Sequence, residues 1–434
     1  MHGGRTGQLK QTNGNEGSEF MNTDAIWGAF WNITQLWALS YPARYNSYVN
    51  TQLQIYRDKG WFGDGIANSE YVSGVGTNFV GLAIAAAYQA GIRNYDVALA
   101  YEAVKANELN WRNRKEGSGK MDTKAFVEHG FVPYLEKNTT DSTGSHFSAS
   151  HTLEYSFSAF AAAQMAKALG KMKDYQTLIR YADGWKSVFN PQNKLMQPKN
   201  ADGSFINNFN PLEAWRGFQE GNAVQYSFYV PHNPAALISA IGKDQFNKRL
   251  ESSQKDGFGG GKKIDAFAGI KSLYNHGNQP CLHISWLFNF SGKPWLTQKW
   301  TRLICNEFYG TEPIHGYGYG QDEDQGQLGS WYVLAALGLF DVKGFTDAKP
   351  IIEFGSPLFD KATIALGNKK TLIIETKNNS KENMYIQSAQ FNGKPLNNCW
   401  LYRDELMKGG KLVFTMGSSP NITWGTLVPP PSEQ

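Results

Sequence analysis

From about residue 24 to residue 340 the chain repeats the 3.6-residue period of amphipathic helices, and this run limits the possible folds more than any other feature. In YDVALAYEAVKAN, Val97, Tyr101 and Val104 fall at i, i+4 and i+7, and Asp96 stands where a carboxylate complements a helix N-terminus. HTLEYSFSAFAAAQMAKALG repeats the spacing with Leu153, Phe157 and Phe160, and Gly170 supplies a C-terminal stop. KDYQTLIRYADGWKSVFN lines up Leu178, Tyr181, Trp185 and Val188 on one stripe that ends before Pro191. Pro234 and Pro294 stand where a first-turn proline opens a helix. About a dozen such segments are joined by short turns, so neighbours run antiparallel. Roughly six hairpins of this kind can close into an (α/α)6-type toroid, although periodicity alone leaves a solenoid open.

After Gly344 the period shortens to two. ATIALGNKKTLIIET, MYIQSAQFNGKPL and GGKLVFTMGSS read as short strands, and Asn392-Gly393 between apolar stretches is a strong hairpin signal. The expected fold class is therefore mostly α: an (α/α)6-type helical toroid over residues 24–344, followed by a smaller antiparallel β-domain over 345–434, with a polar segment at 1–23. A chain of 434 residues is too long for one ordinary core, which agrees with two domains.

Charge and hydropathy exclude several functions. The 42 basic and 38 acidic residues are interspersed, so no Lys/Arg stripe exists to neutralise phosphates and nucleic acid is not an expected partner. No apolar run reaches the ~20 residues of a membrane span. Cys281, Cys305 and Cys399 show no metal-type pairing and no disulfide framework. Residues 1–20 contain no apolar core of a signal peptide. Aromatic residues are abundant at 14%, which suits either a large helical core or a carbohydrate site, where flat rings stack on sugars beside polar groups that fix the hydroxyls.

Polar residues gather in three clusters between the helical segments. In FQEGNAVQYSFYVPHN, Glu220 precedes a glycine, Asn222, Gln225 and Tyr226. Desolvation there would raise its pKa as a general acid requires, whereas the alternative is a helix-capping glutamate. In GYGYGQDEDQGQLGSWYVLAALG, Asp322, Glu323 and Asp324 crowd a Gly-rich loop before an apolar helix. Such a triplet serves either the helix dipole or a cation or base role. YNHGNQPCLH places His276, Asn278, Gln279 and His283 around a glycine and a proline. Its oxygen donors suit calcium better than zinc, but taken alone the stretch reads more readily as a satisfied structural turn.

Together and in this order, the clusters resemble the α-mannosidases of glycoside hydrolase family 92, whose segments commonly read EGNAWQY, HGNEPSHH, G-x-D-E/D-D-x-G-Q-M-S-A-W-Y-V and GSPLF. The matching stretches are Glu220–Tyr226, His276–His283, Gly320–Val333 and Gly355–Phe359. The resemblance implies a calcium-dependent, inverting exo-α-mannosidase acting on a mannose-containing glycan. It casts Glu220 as general acid, Asp322 and Asp324 as the pair that supplies the base, and Asn278 and Gln279 as Ca2+ ligands. Trp31, Asn32, Gln225, His276 and His283 fall at its substrate-binding positions. It further implies a periplasmic or secreted protein and a partner, since relatives carry an N-terminal β-sandwich that this chain does not contain. Asn32 and Gln35 replace the Asp and Arg of the family's WDTFR-like segment, Val224 replaces a Trp and Leu282 a His. These departures keep two alternatives open: a carbohydrate-binding pseudoenzyme, and a toroid glycosidase for another sugar.

Overall fold

A computed structural model describes residues 21, 26, 30–63, 65–67, 70–72, 77–114, 118–120, 122–137, 143–259, 268–310 and 326–432. It is helix-rich, 44% helical, with a smaller sheet region. The chain divides into two compact units. One comprises Met1–Phe30, Pro42–Val230 and Thr346–Ala348, and the other Trp31–Tyr41, Pro231–Phe345 and Lys349–Gln434. Residues 231–345 thus group with the strands that follow them, while the change from helix to strand falls after Ala336.

The first unit is built around the 21-residue helix Ser148–Ala168, which packs against Val80–Gln89, Val97–Leu109 and Met172–Ala182. The spacing of Leu153, Phe157 and Phe160 suggests a one-sided stripe, but every residue from Ser148 to Ala166 is buried. A helix enclosed on all sides must satisfy its own polar groups. Thr152 does so by donating to Ser148 O at 2.8 Å and accepting from Val132 N at 2.9 Å. Ser158 donates to Glu108 Oε2 at 2.8 Å, and Lys120 Nζ reaches that same oxygen at 2.5 Å. The helix ends as expected, with Gly170 left-handed (φ 72°) and Lys171 N bonded to Ala166 O. Asp96 is a true N-cap, its carboxylate accepting from Leu99 N at 3.0 Å. The expected continuous stripe from Leu178 to Val188 is broken. Met172–Ala182 stops and a single turn, Trp185–Val188, follows. At Gly184 between them a Cβ would lie 2.7 Å from Ser156 Oγ and 2.8 Å from Gly130 O, so the chain passes too close to its neighbours for any residue but glycine.

The second unit contains the helices Ile33–Ser40, Pro234–Ile241, Lys243–Gly259, Pro294–Glu307 and Gln327–Ala336, two of them opened by the anticipated prolines. Its five-stranded sheet runs in the order Lys394–Pro395, Tyr385–Phe391, Gly410–Gly417, Thr371–Lys377, Lys361–Ala365. Asn392 (φ 50°) and Gly393 (φ 77°) form the expected two-residue hairpin, both in the left-handed region that such a turn demands. The sheet is mixed rather than purely antiparallel. Gly410–Gly417 inserts between Tyr385–Phe391 and Thr371–Lys377, which run in opposite directions, and so must lie parallel to one of them. Leu372, Ile374, Ile386, Leu412, Phe414 and Met416 form its buried face. A second sheet, Trp400–Tyr402, Ile351–Phe354 and Leu339–Phe340, has no clear signal in the sequence because Ile351–Phe354 is buried on both faces and shows no alternation.

That buried strand carries Glu353, whose carboxyl accepts from Val342 N and Asn289 Nδ2, both at 3.0 Å. Burial, and then the neighbouring Asp341, push its pKa well above the usual carboxylate range. The folded form therefore holds a proton that the unfolded chain releases, so this group's contribution to stability falls as pH rises from the ordinary carboxylate range towards the raised value. Glu353→Gln removes that linkage, and Asn289 can turn its amide to offer Oδ1. The stability of the variant relative to the parent, followed by thermal melts, is expected to improve steadily from pH 5 to pH 8. A difference that stays constant or reverses over this range would show that Glu353 is ionised in the fold.

Candidate active site

Glu220 lies in the first unit, half-buried, on a loop that crosses the start of Ser148–Ala168. The helix has no side-chain cap, and its first amides turn instead to the loop: Ala149 N and Ser150 N donate to Gly217 O at 3.0 and 3.1 Å. The carbonyl thus satisfies donors that the helix leaves open. Gly217 N in turn donates to His146 O at 2.8 Å. Gln219, one residue before Glu220, is held from both sides. Its N–H donates to Ser150 Oγ at 3.0 Å, and its carbonyl accepts from Tyr226 OH at 2.8 Å. Glu220 itself has φ 48°, a left-handed conformation that costs a non-glycine residue about 1–2 kcal/mol. Gly221 is required because a Cβ there would meet the Tyr226 ring at 2.8 Å. Asn222 then caps the single turn Ala223–Tyr226, accepting from Val224 N and Gln225 N at 2.9 and 3.1 Å. Gln225 is buried within that turn. The capping residue of this segment is thus Asn222, and Glu220 stands on the loop before it.

In the second unit, His276–His283 and the helix Gln327–Ala336 meet. Trp331 Nε1 donates to Leu282 O at 2.9 Å, and its ring meets the His276 edge at 4.3 Å. His276 is buried, with Nδ1 at 2.8 Å from Tyr274 OH and Nε2 at 2.9 Å from Tyr309 OH. Burial lowers its pKa to about 3, which keeps the imidazole neutral. Asn278 caps the short 3₁₀ turn Gln279–Cys281, its side-chain oxygen accepting from Gln279 N at 3.0 Å. His283 is buried and stacks on Trp31, centroids 5.0 Å apart and planes within 18°. Trp31 is itself wholly buried and donates its indole N–H to Val342 O at 2.9 Å, so the ring packs inside the protein. Asn32, next to it, is fully buried at the head of Ile33–Ser40, and neither its amide oxygen nor its nitrogen has a hydrogen-bond partner. Gln35 has a different task. It accepts from Asp341 N and donates to Asp341 O, each at 2.9 Å, a two-way amide pairing that an arginine, with no acceptor, could not make.

Asp322, Glu323 and Asp324 lie outside the described residues, as does Gly320. Among the described residues no group of three His, Cys, Asp or Glu side chains could hold a metal ion. The buried Asn278 and Gln279 carry amide oxygens, the donor type a hard cation prefers. These donors fit calcium in kind, and ligand charge would have to come from elsewhere. The fourth matching stretch is structural. Arg302 wraps Gly355–Phe359, donating through Nε and Nη2 to Ser356 Oγ at 3.1 and 3.0 Å, through Nη2 to Asn379 Oδ1 at 2.7 Å, and to Pro357 O. Ser150, Tyr309 and Arg302 escape a reading of the sequence. None of the three lies in a matching stretch.

A model of the glycosyl hydrolase family 92 catalytic domain matches residues 4–418. The chain belongs to this family of glycoside hydrolases. An uncharacterized secreted glycosidase from the fungus Arthroderma benhamiae is 26% identical over 413 residues, which is 86% of this chain and 49% of the relative. A family 92 α-mannosidase from Bacteroides thetaiotaomicron has a solved structure that superposes with TM-score 0.83 at 27% identity, covering 98% of this chain and 54% of that one. The same enzyme has been solved with mannoimidazole. An inverting family 92 mannosidase from that bacterium gives TM-score 0.80 at 27% identity, covering 93% and 54%. The chain shares the fold class of these enzymes, helices followed by a smaller β-region, and spans about half the length of the relatives it matches.

Proposed function

We propose that this chain forms the catalytic half of an exo-acting, inverting α-mannosidase that removes terminal α-linked mannose, in α-1,2 or a related linkage, from mannose-rich glycans. The observation that carries the reading is Glu220, a half-buried carboxylic acid held in a left-handed backbone conformation on a doubly anchored loop, in a chain that matches the family's catalytic domain. Strained residues persist where the surroundings over-determine them, and catalytic loops are a common setting. Glu220 protonates the leaving oxygen, while Asp322 or Asp324 takes a proton from the attacking water. Inversion needs the two carboxyl groups about 6.5–9.5 Å apart to admit that water. The buried and unpartnered Asn32 amide, which offers one donor pair and one acceptor, suits a sugar hydroxyl that must both give and receive a hydrogen bond. These groups fall within residues 24–344, the proposed catalytic domain, ahead of the β-domain at 345–434. The two mannosidases among the solved relatives favour mannose over other sugars.

Asn278 and Gln279 would hold calcium, a requirement for which the family is known. Bound there, the ion would supply positive charge to two hydroxyls of the terminal mannose. The secreted fungal relative favours an exported protein. Incubation with a mannobiose and an aryl α-mannoside tests the reading. Mannose release is expected to stop on treatment with a calcium chelator and to return with calcium. Full activity in the chelator would remove calcium from the account. Calorimetric binding of the sugar without any release would identify a carbohydrate-binding pseudoenzyme.

A further inference from the structure

We infer that Ser150 and Tyr226 are positioning residues for the acid, clamping Gln219 on both sides so that Glu220 keeps its left-handed backbone and its carboxyl a proton-donating pose. The inference rests on Glu220 being the general acid. Both polar groups of Gln219 are engaged, its N–H by Ser150 Oγ at 3.0 Å and its carbonyl by Tyr226 OH at 2.8 Å. The two anchors are rigid for different reasons. Ser150 sits in the first turn of the most enclosed helix in its unit, and its hydroxyl donates to Phe147 O at 3.0 Å, which leaves the oxygen lone pairs for Gln219. Tyr226 is fully buried, packed against Phe218 and Tyr229 with centroids 5.5 and 5.7 Å away. Glu154 Oε1, one helical turn beyond Ser150, lies 3.5 Å from the same hydroxyl.

Left-handed φ at Glu220 is unfavourable for a residue with a Cβ, and an unanchored loop would relax towards the ordinary right-handed or extended regions. Relaxation by rotation about this one bond swings the carboxyl away from the leaving oxygen, and a displacement of about 1 Å can cost about 100-fold in rate. The fold spends two buried hydroxyls on one residue, Gln219, immediately before the acid, one on each of the two peptide groups that flank its Cα. Packing alone would not need that concentration.

A misplaced acid has a signature that a damaged core lacks. It slows substrates whose leaving group must be protonated and spares those whose leaving group departs unaided. Ser150→Ala and Tyr226→Phe are expected to lower kcat on a mannobiose by about 10–100-fold with KM within about 3-fold, and to change the rate on a dinitrophenyl α-mannoside by less than about 3-fold. Ser150→Thr, which keeps the hydroxyl, restores the mannobiose rate. Hydrogen exchange of the peptide spanning residues 217–222 reads the same event without turnover, and both variants should speed it while the helix Ser148–Ala168 stays protected. Equal losses on the two substrates, or unchanged exchange in that peptide, overturn the inference. Glu220→Gln is measured alongside. If it too shows no dependence on leaving group, the acid assignment has failed. If it shows the dependence and Ser150→Ala does not, only the role of the clamp has failed.

Discussion

Glu220→Gln is expected to reduce kcat on a mannobiose by about 10²–10⁴-fold, with KM nearly unchanged. The amide keeps the volume and can still accept hydrogen bonds, so the sugar binds as before, but it has no proton to give to the departing oxygen. An interaction that exists only in the transition state shows itself in kcat. The backbone of the variant keeps φ 48°, because the anchors at Gln219 do not depend on the side chain that follows. The melting temperature should therefore stay close to that of the parent, which separates lost chemistry from lost structure. Steady-state kinetics on the two proteins decide the matter. A variant within a few-fold of the parent would remove Glu220 from the reaction.

Lys120→Met is expected to cost about 3–5 kcal/mol of stability, the largest single effect foreseen for the fold. Lys120 is wholly buried, and its ammonium contacts Glu108 Oε2 and Ser158 Oγ, each at 2.5 Å, with the Tyr155 ring 5.4 Å away. Burial lowers its pKa to about 8, opposed by the attraction of Glu108. Removing the cation takes the contacting partner from a carboxylate deep among helices and leaves it the charge of Arg114, whereas removing both members takes the close pair away together. Denaturant unfolding should accordingly show the double variant Lys120→Met/Glu108→Leu recovering most of the loss. A single variant that loses under about 1 kcal/mol would show that the pair contributes little net charge interaction.

Local features of the fold were legible in the sequence where a short stretch dictates its own structure. Asp96 as a cap, Gly170 as a stop, the prolines at 234 and 294 and the Asn392-Gly393 turn all occur as expected. What escaped depends on partners far along the chain. The helical period of Leu153, Phe157 and Phe160 names one face, but burial of the remaining faces depends on three other helices. The parallel strand pair arises because a later strand inserts between two earlier ones, an event no local pattern records. At the site, Glu220 and the residues after it announced themselves as a motif. Ser150 did not, because a lone serine at a helix start has many ordinary uses and its bond to Gln219 spans 69 residues. Gln35 looked like a lost sugar contact, yet its amide pairs with the Asp341 backbone 306 residues away. Hydrogen bonds to backbone leave little trace in residue identity, since any residue can supply the peptide.

The proposed reaction is a single displacement with Glu220 as acid and Asp322 or Asp324 as base. Hydrolysis of an α-mannobiose with calcium present, followed by proton NMR from the first minutes, tests it directly. Appearance of the β-anomer of mannose before mutarotation mixes the two forms is the predicted result. Initial release of α-mannose would require two displacements at the anomeric carbon and would contradict the account.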